Sequence, residues 1–483
     1  MNQHRPIAEC LRPELQLTHG AGGRILTNTG VWSADGEWIV YDTRSDAAGS
    51  VFDGERIEMV HRRTGEVRIL YQCGADSLSS PGGRRGLGRG GPLAADSGLS
   101  LGRSPNQSGP LTPALSPSAG ARESEAHCGV ATFHPREDKV VFIHGPGHPT
   151  PDWSYGPSHR QGVMVDLASP GHAIALDARD LVPPFTSGAL RGGSHVHVWD
   201  AAGGKLSFTY NDALIEPDLR DIAVSVMGRR VIVPQTHARN HDGEAFTVLV
   251  TRSTSKPRPG SDDFSRACEE GWVGTSGYIR ADGTRQGSAL AFQGQVLTEG
   301  EELITEVFIA DLPDDLTSPG AGPLSGNASE RPFPPRGVKV RRLTRTANRK
   351  FPGVQGPRHW LRSSPDGARI AFLMKDDDGL AQLWTISPNG GDPVPLTNNE
   401  QSVGSAFSWS SDGKWIAHVL AGSVCVTEAT TGITTRLTHN AGEAAAPRPE
   451  ACVFSPEARR IAYVRRVRSP EAEANQIFAV ELP

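Results

Sequence analysis

A turn motif recurs along this chain at a regular spacing, and that spacing limits what the chain can fold into. Three copies follow one another closely: LRSSPDGARIAFL at residues 361–373, FSWSSDGKWIAHV at 407–419 and CVFSPEARRIAYV at 452–464. Aligned on the turn, Gly367, Gly413 and Ala458 lie 46 and 45 residues apart. Self-similarity at this period is typical of four-stranded units arranged as the blades of a β-propeller.

Four further copies fit the same frame. They are VWSADGEWIVY at 31–41, ATFHPREDKVVFI at 131–143, HVWDAAGGKLSFT at 197–209 and, with a longer turn, ADGTRQGSALAF at 281–292. An Asp-Gly or Gly-Gly tip supplies the positive backbone angles of a tight hairpin, and the β-branched and aromatic residues after it suit a buried strand. The copies predict a single all-β propeller of seven blades, with six or eight as alternatives.

The ends of the chain predict how the ring closes. Several repeats end in a strand that finishes in Leu-Thr, at residues 342–344, 395–397 and 436–438, whereas the last repeat has no such strand. Residues 16–18, Gln-Leu-Thr, stand before the first repeat with no strands of their own to pair with. We expect them to be the outer strand of the C-terminal blade, because such closure removes exposed sheet edges. The propeller would then span residues 16–483, after an N-terminal extension of residues 1–15.

Two segments interrupt the repeats. Residues 77–126 are rich in Gly, Ser and Pro, carry five arginines and contain no aromatic residue. Such a segment cannot bury enough apolar surface to offset the entropy of ordering, so we expect it to be disordered. Residues 312–335 form a smaller Pro-rich insert loop before a fourth strand.

Composition limits the cellular location and the binding partners that we expect for this protein. The formal net charge of −5, with no basic stripe, argues against nucleic acid as a partner. No apolar run is long enough to span a membrane, and the N-terminus lacks the apolar core of a signal peptide, so we expect a cytoplasmic protein. The six scattered cysteines indicate thiols rather than a disulfide framework. A small molecule, a glycan or a protein at the propeller mouth is the expected partner.

Histidines concentrate in the first half of the chain, and His195 and His197 form the clearest group, at the start of an inner strand. Residues i and i+2 of a strand point to the same face, so both imidazoles can converge on one ion. Imidazoles combined with oxygen ligands suit Mn, Zn, Fe or Ni. The alternative is that these histidines are structural and form hydrogen bonds between blades.

Motifs of common enzyme classes are missing where their context would count. No G-x-S-x-G elbow, P-loop, H-E-x-x-H or G-x-G-x-x-G after a strand appears in the sequence context that its chemistry requires. Lipase, nucleotidase and dehydrogenase functions therefore have no support, and whether the protein is an enzyme stays open.

The repeat phrases themselves resemble a known family. The pattern W/F-S-x-D-G-x-x-I-A, followed by L-W-x-I and R-L-T, resembles the TolB-type propeller repeat, a relative of the WD repeat, over most of the chain outside the two inserts. Within it, GGSHVHVWDAAGGKLSFTYND and VPQTHARNHDGEAFTVLV resemble an uncharacterised bacterial branch of TolB-like proteins. This resemblance implies a propeller that binds a ligand or a protein, and it implies no activity.

A fainter resemblance is to oligogalacturonate lyase, a seven-bladed propeller that holds a divalent ion, typically manganese, on three histidines and a glutamine. His195 and His197 match the two histidines of that family's Q-x-x-H-x-H strand, whereas its glutamine falls on Gly192. The resemblance makes Gln235 or His237 a replacement for that glutamine and His127 a candidate for the third histidine.

Two functions follow from these resemblances. The first is a ligand- or protein-binding scaffold with a histidine-rich channel mouth. The second is a metal-dependent, carbohydrate-active lyase that acts on uronates by β-elimination. In the second, the metal would bind the uronate carboxylate and lower the pKa of the C5 proton, and His237 or His241 would remove that proton as the C4 oxygen leaves.

Overall fold

The computed structural model of this protein describes residues 4–44, 52–74, 127–357, 360–468 and 473–482. The predicted disordered insert at 77–126 lies outside these residues. The described chain is built from β-strands and turns, and its one helix is the short 3-10 helix Glu443–Ala445. No helix within these ranges has the length and hydropathy needed to cross a bilayer.

The strands form seven antiparallel blades, which confirms the predicted all-β propeller. Two N-terminal strands come first, β1 (Ala8–Glu9) and β2 (Glu14–Gln16). Blade 1 consists of β3 (Gly23–Ile25), β4 (Trp38–Arg44), β5 (Arg56–His61) and β6 (Val67–Gln72). Blade 2 consists of β7 (Cys128–Phe133), β8 (Lys139–His144), β9 (Gln161–Asp166) and β10 (Ala173–Ala175). Blade 3 consists of β11 (Gly192–Trp199), β12 (Lys205–Asp212), β13 (Asp221–Val231) and β14 (Gly243–Leu249).

The remaining four blades follow in chain order. Blade 4 consists of β15 (Phe264–Trp272), β18 (Ala289–Leu297), β19 (Leu303–Asp311) and β20 (Lys339–Arg342), with the hairpin β16 (Tyr278–Ile279) and β17 (Arg285–Gln286) between its first two strands. Blade 5 consists of β21 (Arg362–Ser363), β22 (Ile370–Lys375), β23 (Ala381–Ile386) and β24 (Val394–Pro395). Blade 6 consists of β25 (Ser408–Trp409), β26 (Trp415–Leu420), β27 (Ser423–Glu428) and β28 (Thr434–Arg436). Blade 7 consists of β29 (Pro447–Phe454), β30 (Arg460–Arg468) and β31 (Glu473–Glu481), together with β2.

Each copy of the turn motif joins the first two strands of a blade. At the hairpin tips, Gly367 and Gly413 have φ angles of 74° and 70°, and Ala458 takes the same left-handed conformation with φ 56°. This conformation strains a residue that carries a Cβ, which explains why most copies place glycine there. The looser copy at 281–292 has a longer turn because the β16–β17 hairpin is inserted in it.

The ring closes as the sequence predicts. Strand β2 pairs with β31 in antiparallel register, with Gln16 opposite Phe478. Beyond β2, the Leu17 amide donates to the Ile477 carbonyl at 2.8 Å, and the buried Thr18 hydroxyl accepts from the Ile477 amide at 2.9 Å. One further strand was not predicted: β1 pairs in parallel with β28 and gives blade 6 a fifth strand. The Arg5 amide also donates to the Asn398 carbonyl, just beyond β24, so the N-terminal segment contacts blades 5, 6 and 7.

Hydrophobic cores lie between neighbouring blades, as the contact between blades 3 and 4 illustrates. Phe264, Phe292 and Phe308 pack there with ring centroids 5.2–5.6 Å apart. The Pro-rich loop at 312–335 covers this contact from outside, with Leu316 and Leu324 buried in the same core. The loop is thereby held against blade 3, the blade that carries His195.

Candidate functional site

The inner strands of blades 2, 3 and 4 share an irregularity that decides where their side chains point. Each contains a β-bulge centred on a residue with positive φ, and these residues are Val130 (60°), Val196 (58°) and Glu269 (56°). In each bulge, two residues of the first strand face one residue of the second, and that residue is a phenylalanine in all three blades: Phe142, Phe208 and Phe292. A bulge breaks the alternation of side chains along a strand. The bulge therefore places the side chains of His195 and His197 in different surroundings, whereas the sequence argument from i, i+2 spacing expected them on the same face.

His197 lies between blades 2 and 3, fully buried. Its ring packs on Phe208 with centroids 4.9 Å apart. A Cβ built on Gly162 would lie 2.5 Å from His197 Nε2 and 2.9 Å from Asp177 Oδ1, so the ring and the carboxylate meet at this glycine. Burial lowers the pKa of His197 to about 3 and raises that of Asp177 to about 6. His197 is therefore a neutral side chain packed between blades.

His195 is half-buried and surrounded by arginines. Its Nδ1 lies 2.7 Å from Arg160 Nη1, which can only donate, so Nδ1 accepts this hydrogen bond. Burial, with the positive charges of Arg160 and Arg220, holds the pKa of His195 well below its usual range. The ring is consequently neutral near pH 7 and carries its proton on Nε2, where it can donate to a ligand.

Three arginines form this environment, and we call Arg160, Arg220 and Arg266 the arginine cluster. Arg160 immediately precedes β9 and Arg220 immediately precedes β13, so the two occupy equivalent positions in blades 2 and 3. Arg266 belongs to β15 and forms a β-bridge with Arg220, in which the Ala267 amide donates to the Arg220 carbonyl at 2.9 Å. The cluster thus joins three successive blades.

The positive charge of the cluster is not balanced by paired carboxylates. Arg160 is 3% exposed and Arg220 is 8% exposed. In the described part of the chain, no carboxylate lies within ion-pair distance of Arg160, Arg220 or Arg266. Burial, together with the charges of Arg266 and Arg160, lowers the pKa of Arg220 to about 10, against the opposing charge of Glu269, which lies beyond ion-pair distance. Arg220 is therefore still charged at neutral pH. Burying a charge without a directly paired counter-charge costs stability, and proteins typically retain such a cost at functional sites.

Aromatic side chains extend the site toward blade 1. The rings of Phe52 and Tyr155 stack with centroids 5.3 Å apart. The Arg160 guanidinium lies over the Tyr155 ring at 4.9 Å, and that of Arg44 lies over Phe52 at the same distance. Arg44 is paired with the buried Asp42, unlike the arginines of the cluster. The cluster therefore has an aromatic wall on one side.

The other residues predicted for the site lie in different surroundings. Gln235 and His237 are exposed in the segment between β13 and β14, where the Gln235 amide donates to the Val233 carbonyl and His237 Nδ1 accepts from the Arg239 amide. His241 forms a β-bridge with Arg179, and burial lowers its pKa to about 3. His127 immediately precedes β7, with its ring 6.4 Å from that of Tyr155.

These positions do not suit a divalent metal. Across the described ranges, no group of three or more His, Cys, Asp or Glu side chains is arranged to hold an ion, so His127, His195 and His197 do not form one metal site. Gln235 is bonded within its own loop. One nitrogen of His195 already accepts a hydrogen bond from a cation, and the arginine cluster would repel another positive charge. The predicted ligand set of His195, His197, Gln235 and His127 does not fit the ion.

Sequence reasoning did not find the arginine cluster, although part of the signal was present. Aligning the blades on their third strands would have placed Arg160 and Arg220 at the same position. Nothing in the local sequence marks Arg266, because it joins the site through a bridge between blades.

Comparisons with known proteins agree with this architecture. A family described as a protein of unknown function (DUF3748) matches residues 127–241, which include Arg160, His195 and Arg220. Among solved structures, an oligogalacturonate lyase in complex with manganese has a TM-score of 0.50 at 10% identity and covers 99% of both chains. The oligogalacturonate lyase of Vibrio parahaemolyticus has a TM-score of 0.51 at 8% identity, with 97% of this chain and 93% of that chain covered. TolB from Acinetobacter baumannii has a TM-score of 0.33 at 15% identity, with 68% of this chain and 61% of that chain covered.

The lyase likenesses, at such low identity, show the propeller fold alone. A much stronger similarity is to the uncharacterised protein YidR of Escherichia coli (strain K12), which is 39% identical over 468 residues, 95% of this chain and 96% of that protein. This chain, with its bulged blades and arginine cluster, therefore belongs over nearly its whole length to the YidR family.

Proposed function

We propose that this propeller is a binding protein whose arginine cluster takes the carboxylate of a small anionic ligand, with uronate sugars as the first class to test. The observation that supports the proposal is that Arg160, Arg220 and Arg266 are brought together, two of them buried, without a carboxylate partner among the described residues. A ligand carboxylate would provide the missing counter-charge.

The donors of the site match a carboxylate. A guanidinium presents a planar fork of N–H groups that can bind both oxygens of a carboxylate, and His195 adds an Nε2–H donor. All four side chains donate and none offers a negative charge, so the site selects against cations. In the aromatic wall, Phe52 is buried and Tyr155 is partly exposed, so Tyr155 provides an apolar surface for the rest of the ligand.

The alternative function, metal-dependent β-elimination from uronates, is favoured by the likeness to the lyase fold. It requires a divalent ion on His195 and His197 and a base at His237 or His241. The surroundings of these residues argue against it, because Arg160 donates to His195, His197 is packed between blades and His241 is a buried group of pKa about 3. We therefore place binding first and treat elimination as an outcome to be measured.

Replacing Arg220 with alanine should weaken binding of trigalacturonate about 10- to 100-fold, because a hydrogen bond to a charged group contributes about 1.5–3 kcal/mol. Isothermal titration calorimetry measures this loss. The matched control is Arg285→Ala, which removes an exposed arginine of the β16–β17 hairpin and should leave affinity unchanged. The methyl ester of trigalacturonate, which lacks the negative charges, should bind no better to the wild type than trigalacturonate binds to Arg220→Ala.

The proposal is wrong if the ester and the acid bind equally, or if Arg285→Ala loses as much affinity as Arg220→Ala. Titrating citrate and inorganic phosphate in the same way distinguishes a uronate site from a general anion site. Incubating the protein and trigalacturonate with manganese or with a chelator tests the alternative. An unsaturated product that forms with manganese only would establish the lyase function in place of simple binding.

A further inference from the structure

Two cysteines that are not part of the arginine cluster lie together where blade 1 joins blade 2. Cys128 is the first residue of β7, and Cys73 follows the end of β6. The Cys73 amide donates to the Glu55 carbonyl at 2.8 Å, and the Cys128 amide donates to the Gly54 carbonyl at 2.7 Å. Two consecutive residues of one segment therefore hold both cysteines in place.

A histidine and a tyrosine complete the group. Cys128 lies directly opposite His144 in the β7–β8 ladder. The hydroxyl of Tyr71, two residues before Cys73, is 3.0 Å from His144 Nε2. Cys73 packs against the same hydrophobic core that contains Cys128 and Tyr71. The end of β6 is thus fixed to the end of β8, with both thiols beside the imidazole.

The two thiols differ in exposure and in acidity. Cys73 is partly exposed and Cys128 is fully buried, and both are free thiols. The pKa of Cys73 is lowered, mainly by a hydrogen bond from Cys128 and also by the nearby His144. Burial and the Glu55 charge oppose this shift but do not cancel it. Burial, the Cys73 thiol and the Asp42 charge raise the pKa of Cys128, whereas the charge of Arg44 lowers it. An acidic, reachable thiol beside a buried one is the arrangement found in redox-active cysteine pairs.

We propose that Cys73 and Cys128 are a redox-active dithiol that a small disulfide, such as glutathione disulfide, converts into an intramolecular disulfide. The Cys73 thiolate attacks one sulfur of glutathione disulfide, forms a mixed disulfide and releases one glutathione thiolate. The Cys128 thiol then attacks the Cys73 sulfur and releases the second glutathione as a thiolate, which takes up the proton of Cys128 as it leaves. The two cysteines are oxidised by two electrons, and one glutathione disulfide is reduced to two thiols.

The disulfide would join the end of blade 1 covalently to the inner strand of blade 2. The adjoining Gly129 is packed against Asp42 and against Phe52, which is part of the aromatic wall. The redox site is therefore next to the proposed ligand site but uses none of its donors, so its test does not depend on the proposed function.

The full-length protein, first reduced, should be treated with glutathione disulfide, blocked with an alkylating reagent and digested without reduction. Mass spectrometry should find a peptide pair linked through Cys73 and Cys128. In wild-type protein at pH 7, Cys73 should alkylate at least about 10-fold faster than Cys10, which is also partly exposed, because each unit of lowered pKa gives about tenfold more thiolate. The Cys128→Ser variant should accumulate glutathione on Cys73, whereas Cys73→Ser should accumulate none on Cys128.

The matched control is Cys10→Ser, which should oxidise like the wild type. The proposal is overturned if no Cys73–Cys128 link forms in excess glutathione disulfide, or if Cys73 alkylates no faster than Cys10. The alkylation rates are measured on wild-type protein, so they test the proposal even if a variant fails to fold.

Discussion

Replacing Arg331 with alanine is expected to lower the free energy of unfolding by about 3–5 kcal/mol, because it would leave a buried carboxylate without its cation. Arg331 belongs to the Pro-rich loop at 312–335, and its Nη1 donates to Asp221 Oδ2 at 2.5 Å. The two side chains are 6% and 2% exposed. Asp221 also accepts from Thr251 and Ser253, so its charge is fixed in place and cannot move toward water. Urea denaturation at pH 7 measures the loss.

An exposed ion pair provides the matched control. Arg345 pairs with Asp262, but these side chains are 62% and 49% exposed, so Arg345→Ala should cost less than about 1 kcal/mol. Adding Asp221→Asn to Arg331→Ala should recover part of the stability, because the unpaired charge is then removed. Equal losses for the two single variants would contradict the expectation that the buried Arg331–Asp221 pair stabilises the protein more than an exposed ion pair.

Glu270→Gln should have the opposite effect and stabilise the protein at alkaline pH. Glu270 lies in the bulge of blade 4, 4% exposed, with its Oε2 3.4 Å from the Thr209 hydroxyl and its Oε1 without a hydrogen-bond partner among the described residues. Burial raises the pKa of Glu270 to about 7, well above the ordinary value for a glutamate. Because folding raises this pKa, the folded protein holds the proton more tightly than the unfolded chain does. The protein therefore loses stability as pH rises through the pKa of the folded state. The gain from glutamine should be near zero at pH 4 and about 3 kcal/mol at pH 8.

Urea denaturation of both proteins at pH 4, 6 and 8 measures this dependence. The exposed Glu302 serves as the control, and Glu302→Gln should change stability by less than about 0.5 kcal/mol at each pH. A gain for Glu270→Gln that does not change between pH 4 and pH 8 would show that the glutamate is not a buried, ionised group.

The fold could be predicted almost completely because its signals are local and repeated. Most turn tips contain a left-handed residue, so Gly367 and Gly413 mark their hairpins directly in the amino-acid sequence. Closure by residues 16–18 followed from counting strands, and it is confirmed by the pairing of β2 with β31. The parallel strand β1 was missed, since two residues without a turn motif carry no repeat signal.

The candidate site was predicted only in part, because its geometry depends on features that sequence patterns do not show. Val196 adopts a positive φ although a β-branched residue disfavours it, so nothing in SHVHVW announces a bulge. The alternation rule therefore placed His195 and His197 on one face. Arg160, Arg220 and Arg266 belong to three blades and come together through tertiary packing, which residue spacing along the chain does not encode.

Closure of the ring has a consequence for the order in which the protein is made. Apart from β1, strand β2 is synthesised before the other strands of all seven blades, whereas its partner β31 is synthesised after them. At about 5–20 residues per second, the interval between them is tens of seconds. During that time Leu17, which ends up buried, has no partner, and the earlier blades must fold as an open array. Chaperones would therefore encounter this protein as a nascent chain in which β2 is still unpaired.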